Sequence, residues 1–458
     1  MWREGSLKRK RENKVLLHIG LDDIDSPEGG CTTHLASILV EKLSKENLEF
    51  VDYPNLIRLN PNIPWKTRGN GAVALRILVN EGAVSKVVDV VLSEVEKYVG
   101  EFSRIKSQPA VAFCMGEVPS KLRWFSLKAI KDVIPLSLAS KIAEKANVRT
   151  VPLKGKRGII GALAAIGEPL DRGDYTFELI AYRTREMYGK PRLVDERSVF
   201  EMDKLFRNET FLNIDYKAGK ILITPHGPDP VLLGIRGESA EAVFEAFKVV
   251  KVLEPIERWT IFRTNQATDT HLTEVNSVKE IRPYMSVILK GRVSKEPKTI
   301  RGGHVIFSIS DGEGNEVDCV AYEPTGDFRN IVKQLILNDV VKVYGGVRPS
   351  SPIHGLSINL EKLEIISLAR KIVLQNPKCP KCGKRMKSAG KGKGFKCPRC
   401  GFKSKNLSKN IVEIPRNLKT GLYTPPPRAF RHLMKPPQRI GKEKSAPPEK
   451  MLAKWHHP

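Results

Sequence analysis

The 458-residue chain has no G-x-x-x-x-G-K-[ST] stretch, so the common phosphate-binding loop of nucleotide hydrolases is absent. No uninterrupted apolar run approaches the roughly 20 residues a membrane-spanning helix requires. The leading "MWREGSLKRKRENK" also lacks the apolar core of a secretory signal. These absences predict a soluble, cytoplasmic protein with no membrane partner. Cysteine is scarce, seven residues in all, and three of them (Cys31, Cys114 and Cys319) stand alone. An odd, clustered set argues against a disulfide framework and for a reducing compartment. Acidic residues are nearly missing from the last quarter: residues 371–458 hold 23 Lys+Arg against 3 Asp+Glu, a net +20 of the whole chain's +26. A nearly neutral body with one strongly basic end is the charge distribution of a protein that grips a polyanion there.

What is present fills about three or four domains, because one hydrophobic core seldom organises so long a chain. From Lys14 the run "VLLHIGL" reads as a buried strand and "THLASILVEKLSKEN" as a helix, with Leu35, Ile38, Leu39 and Leu43 along one face. "NLIRL" and "AVALRILV" add two extended pieces, and residues 86–98 and 126–146 have helical spacing. This first region reads as α/β. Beyond about residue 150 shorter, glycine-punctuated strands and helices predict a compact α+β unit of ferredoxin-like type. Residues 281–370 then offer five strands with a helix near "FRNIVKQLIL" between the third and fourth, the order of an OB-fold barrel. The closing "YTPPPRAFRHLMKPPQRIGKEKSAPPEK" is dominated by proline and lysine, so the tail is expected to be extended or disordered until it meets a partner.

Two pairs of cysteines carry the sharpest signal. "CPKCGKRMKSAGKGKGFKCPRCGF" places Cys379, Cys382, Cys397 and Cys400 as two Cys-x-x-Cys turns, each aiming two thiolates at one ion. Four thiolates close a tetrahedron around Zn²⁺ and leave no position for substrate, so the site is structural. Lys384, Arg385 and Lys396, between the pairs, put positive charge on the ribbon and are candidate RNA contacts.

The stretch "GLDDIDSPEGGCTTHLA" sets Asp22, Asp23 and Asp25 beside Gly29-Gly30 and a helix beginning near Thr32 or Thr33. A helix N-terminus behind two glycines suits a phosphate. Carboxylates there oppose one unless Mg²⁺ stands between them. Thr32 and Thr33 are open to three roles: capping the helix, contacting a phosphate, or accepting a phosphoryl group. A second loop, "WKTRGNGAV", supplies Lys66, Arg68 and the open backbone of Gly69-Asn70-Gly71 for the outer phosphates of a nucleotide, although "GNG" alone is also a hairpin turn.

These motifs, with "IRLNPNIPWKTRGNGAV", "KGKRGIIGALAAIG" and "FRTNQATDTHL", lie in one order over about residues 15–405. They resemble the archaeal tRNA 2-agmatinylcytidine synthetases, which modify the wobble cytidine of an isoleucine tRNA with a CAU anticodon. The resemblance implies a multidomain α+β chain. A kinase-like α/β domain would span 14–150, with an end that could lie as far as about 195, followed by a ferredoxin-like domain (151–275), an OB-fold (276–370), a zinc ribbon (371–406) and a basic tail (407–458). It implies ATP-dependent activation of the cytosine C2 carbonyl, its replacement by agmatine, and release of AMP. Asp22, Asp23 and Asp25 would then be metal and catalytic carboxylates, and Thr32 the autophosphorylated threonine. Ile24 stands where the family more usually has threonine, and residues 1–13 and about 440–458 lie outside the resemblance. Agmatine's guanidinium calls for carboxylates, for which Asp174 and Glu178 are equal candidates. Arg263 and His271 of "FRTNQATDTHL" are expected to contact RNA. The competing reading is a single-strand-binding protein without chemistry, since OB-fold plus zinc ribbon describes that class too.

Overall fold

The computed structural model describes residues 14–102, 107–352, 354–448 and 450–458; the basic N-terminal extension lies outside them. The first strand, Lys14–Asp22, is largely buried because both of its faces are covered. Leu17, Ile19 and Leu21 are fully buried on one face. On the other, Gly20 lies against the helix Gly158–Gly167, where an added Cβ would stand 2.1 Å from the carbonyl oxygen of Ala162. Alternation of side chains then places His18 and Asp22 on that same helix-facing side.

This strand sits inside a ten-stranded sheet that runs through the first two predicted domains without a break. In order its members are Val231–Gly237, Thr176–Arg183, Ile256–Thr264, Asn55–Arg58, Gly71–Asn80, Lys14–Asp22, Ala110–Met115 and Arg149–Pro152, with Glu49–Phe50 and His456–His457 pairing from the side. Neighbours are antiparallel except at the seam, where Arg263 and Thr264 run parallel to Asn55 and Leu56. Residues 126–146 form two helices, Ser120–Lys131 and Leu136–Lys145, since Pro135 cannot continue the first and instead starts the second.

The barrel has the expected order. Strands Ser286–Thr299, Val305–Ser310, Glu316–Ala321, Val340–Arg348 and Ser357–Ser367 close when the first pairs with the fourth and the third with the fifth, and the helix Phe328–Val332 lies between the third and fourth. Beyond it, Ile372–Gln375 pairs with Asn410–Glu413, so the ribbon stands on a two-stranded stem.

The tail departs from its composition. Leu433, Met434 and Trp455 are buried, and Arg439 is among the largest side chains with no exposure at all. The indole of Trp455 packs edge-on to Phe50 (5.3 Å between centroids) and Tyr53 (6.0 Å), and His456–His457 joins the main sheet beside Trp259 and Thr260. Composition missed this because a few anchors suffice. Arg439 reaches both carboxylate oxygens of Asp174 at 3.0 Å and Glu238 at 2.8 and 3.2 Å, neutralising its charge inside the protein. Pro426 and Pro436 meanwhile take extended backbone and lead into short 3-10 turns at Pro427–Ala429 and Pro437–Arg439.

Candidate functional site

The end of the Lys14–Asp22 strand and the loop that follows it face two cavities. The first, about 380 Å³, has Asp22 and Asp23 on one side with Lys66, Asn70 and Arg157, and an apolar wall that includes Ile134, Leu136 and Ile160 on the other. Gly161 has no side chain because a Cβ there would stand 2.0 Å from an Asp22 carboxylate oxygen. Asp23 takes a left-handed backbone (φ 59°), and its carboxylate accepts the Gln108 amide at 2.9 Å. Gln108 in turn accepts the amides of Lys156 (3.1 Å) and Arg157 (3.0 Å), joining this loop to the start of the Gly158–Gly167 helix.

Burial is what makes the aspartate pair unusual. It drives the Asp22 carboxyl well above the ordinary range, and repulsion from Asp23 and Asp25 adds to the rise. Burial likewise raises Asp23 to about 6, with further repulsion from Asp25, against hydrogen bonding from Gln108 and the field of Arg157. Arg157 only partly offsets two acids pressed together in this way, and hard oxygen donors in such a pair match a divalent cation such as Mg²⁺.

Asp25 belongs to the second cavity, about 330 Å³, together with Thr32, Thr33, Arg58, Glu178 and His432. Its carboxylate accepts the Thr32 amide (3.3 Å) and the Thr67 hydroxyl (3.2 Å). It therefore caps the Thr32–Lys45 helix, a role that neither threonine side chain takes. The Thr32 hydroxyl accepts the Ile24 amide at 3.4 Å, and Thr33 pairs with the Cys31 thiol at 3.2 Å. One loop walls both cavities: Lys66 and Asn70 line the first, whereas Arg68, Gly69 and Gly71 line the second. Arg68 donates to the carbonyls of Ser26 (3.0 Å) and Gly30 (3.1 Å), pinning the two loops together.

Several sequence-based expectations change here. Gly29 and Gly30 line neither cavity; an added Cβ would meet Tyr188 or the Ile24 carbonyl at 2.9 Å, so they serve packing rather than a phosphate. Arg263 is buried and bound to Asp52 and to the carbonyls of Leu170 and Pro169, both at 2.8 Å. His271 is fully buried against Glu361 at 2.9 Å. Neither has a face that RNA can reach, so their expected RNA contacts are replaced by a buried ion pair at Arg263 and a buried hydrogen bond at His271. Of the two candidates for the guanidinium, Asp174 is occupied by Arg439, and Glu178 lines the second cavity while accepting Arg236 Nε at 3.0 Å and the Gln266 amide. Sequence reasoning passed over Gln108, Arg157, Arg58 and His432, each brought in from a distant segment.

At the ribbon, the four cysteine sulfurs lie within 4.8 Å of one another, with Cys379 to Cys400 at 3.5 Å and Cys382 to Cys397 at 3.4 Å. A zinc–thiolate tetrahedron has edges of about 3.8 Å, so the set fits Zn²⁺. Gly383 (φ 71°) and Gly401 (φ 73°) provide the left-handed turn after each pair. Lys384, Arg385 and Lys396 are exposed on this ribbon.

Fold and site define a multidomain protein in which a cavity built around paired aspartates in a large α/β sheet is joined to an OB barrel and a four-cysteine ribbon, the last two being modules that commonly hold nucleic acid. Comparison with known proteins is more specific. Residues 18–155 match the model of the TiaS TCKD domain, 156–271 the TiaS FLD domain, 287–366 an OB-fold nucleic acid binding domain and 376–418 the TiaS C-terminal zinc ribbon domain. A 2-agmatinylcytidine synthetase, TiaS, from Staphylothermus marinus is 48% identical over 444 residues, 96% of each chain. A crystal structure of a TiaS–tRNA–ATP complex superimposes with a TM-score of 0.84 at 41% identity, covering 94% of this chain and 99% of that one. A second, of TiaS with tRNA, AMPCPP and agmatine, gives 0.80 at 40% identity over 92% and 96%. The chain belongs to the TiaS family of tRNA 2-agmatinylcytidine synthetases. No helix among the described residues is long and apolar enough to cross a membrane.

Proposed function

We infer that this protein uses ATP to attach agmatine to C2 of the wobble cytidine of an isoleucine tRNA. The observation that carries the reading is the pair of cavities sharing the 66–71 loop, one setting Asp22 and Asp23 with Lys66 and Arg157 against an apolar wall, the other mixing Asp25, Glu178 and Asp229 with Arg58, Arg68 and Arg236. A single-strand binder has no use for a buried pair of carboxyls raised above their ordinary range in such a cavity. ATP occupies the first cavity, with its base against Ile134, Leu136 and Ile160. Asp22 and Asp23 would hold Mg²⁺, which neutralises phosphate charge when bound, and Lys66 pairs with an outer phosphate.

Agmatine occupies the second cavity, where Glu178 faces its guanidinium and Thr32 is the phosphoryl acceptor. The chemistry follows from leaving-group ability. A carbonyl oxygen at C2 leaves poorly, but once phosphorylated it departs as phosphate when the amine attacks; of the two phosphoryl groups lost as ATP becomes AMP, one passes to this oxygen and the other is released as phosphate. The exposed cations of the ribbon, Lys384, Arg385 and Lys396, hold the tRNA backbone.

The test is to incubate the protein with labelled ATP, tRNA and agmatine and to measure AMP together with the mass of the wobble nucleoside. AMP formation should require both co-substrates and vanish in Asp22→Asn. AMP released equally without agmatine, or no mass gain on that nucleoside, would overturn the reading.

A further inference from the structure

The tail does more than cover the body. Residues 432–433 are paired by backbone to the segment after the Ile256–Thr264 strand, with the Ala267 amide donating to the His432 carbonyl at 2.7 Å and Asp269 to that of Leu433 at 2.8 Å. Arg431 on one side reaches Asn62 (2.8 Å), and Lys435 on the other donates its amide to Asp269 (2.7 Å). Held at both flanks, His432 lines the second cavity. Gly69 makes room for it, since a Cβ there would be 2.7 Å from its Nε2.

A relay of hydrogen bonds sets the state of the ring. The Glu178 carboxylate only accepts, so the Gln266 amide must present its Nε2 to it and its Oε1 to His432. His432 Nδ1, 2.8 Å from that Oε1, therefore carries the proton. Nε2 keeps its lone pair on a ring that lines the cavity beside Gly69, and among the described residues it has no hydrogen-bond partner.

Resting on the reading above, we propose that His432 is a catalytic residue of the second step, its Nε2 accepting a proton from the attacking amine. As the nitrogen lone pair forms the bond to C2, the C2–O bond breaks, its electron pair leaves with the phosphate, and the proton shed by nitrogen passes to Nε2. Around the ring stand Arg58, Arg68, Arg236 and Lys66, with Glu178, Asp25 and Asp229 as the facing carboxylates. The field of Arg58, burial, and the charges of Arg236 and Lys66 hold the imidazole neutral in the free protein. A phosphoryl group entering among those cations offsets their field, so the base becomes able to keep a proton when the activated cytidine is present.

His432→Gln retains an acceptor but cannot take the proton. Agmatine turnover by the full-length enzyme should fall about 100-fold, with the KM for agmatine within about threefold of wild type. His432→Ala should raise that KM as well. Turnover of the Gln variant within about threefold of wild type, while wild type makes agmatine-bearing tRNA, overturns the role of His432 alone. Failure of wild type to make that product overturns both readings. A measurement without substitution covers a variant that does not fold: histidine ¹⁵N NMR of wild type should show His432 protonated at Nδ1, with the Nε2 resonance moving when agmatine joins the tRNA- and ATP-loaded enzyme. The opposite tautomer, or no movement, overturns the proposal.

Discussion

Replacing Asp23 by Asn should make the protein more stable and less active at once. Burial and the neighbouring acids lift this carboxyl from 3.8 to about 6. Between those values the folded form binds more protons than the unfolded chain, so this group lowers stability as pH rises from about 4 to 6, and the full cost persists above. A rise of that size corresponds to about 3 kcal/mol at neutral pH, an upper bound because unfolded and folded environments both relax. Asn removes the charge, keeps an oxygen for the Gln108 amide, and tolerates the left-handed backbone at φ 59°. We expect Asp23→Asn to raise the melting temperature of the sheet domain at pH 7.5 in EDTA by several degrees. Its advantage over wild type should shrink towards pH 4, where the wild-type carboxyl is also neutral. Mg²⁺ with ATP should stabilise wild type and leave the variant unmoved, and AMP formation should be lost. A variant less stable than wild type at pH 7.5 without metal would refute the idea that these carboxylates are held under electrostatic strain.

Arg263→Ala should cost about 3–5 kcal/mol by stranding Asp52 inside the protein, while folded variant binds tRNA with unaltered affinity across a salt titration. Removing zinc by chelation, or Cys397→Ser, should weaken tRNA binding far more than ATP binding, because the ribbon stands apart from the acidic cavity on its own stem; equal losses in two binding assays would contradict this. Trp455→Ala leaves a hole beside Phe50 and Tyr53 and should cost about 3 kcal/mol in denaturant unfolding. A change below about 0.5 kcal/mol would mean the tail is not docked.

Legibility from sequence followed the locality of the physics. The zinc ligands were plain because two short turns contain all the geometry they need. Asp22 and Asp23 were recognisable from their place at the end of an apolar strand, and the barrel from its order of strands. Arg263 and His271 were misread because polar residues before a barrel look like an exposed connector. Their burial depends on Asp52 and Glu361, about 211 and 90 residues away in sequence. The tail failed for the same reason. Its lysines and prolines describe a solvated chain, and the acids that receive Arg439 and Lys444 lie at positions 174 and 238. His432 gave no local signal, since its importance comes from Gln266 and Gly69 alone.

The unbroken sheet has a practical bearing on how this enzyme can be taken apart. Cutting between residues 155 and 156 would strip the parallel pairing from Asn55–Arg58 and from the Arg263–Thr264 end of the Ile256–Thr264 strand, leaving open edges that invite the wrong partner. The ribbon on its stem can be trimmed, but the two halves of the catalytic body, and the tail that rejoins them beyond the barrel and ribbon, must be inherited, expressed and folded as one piece.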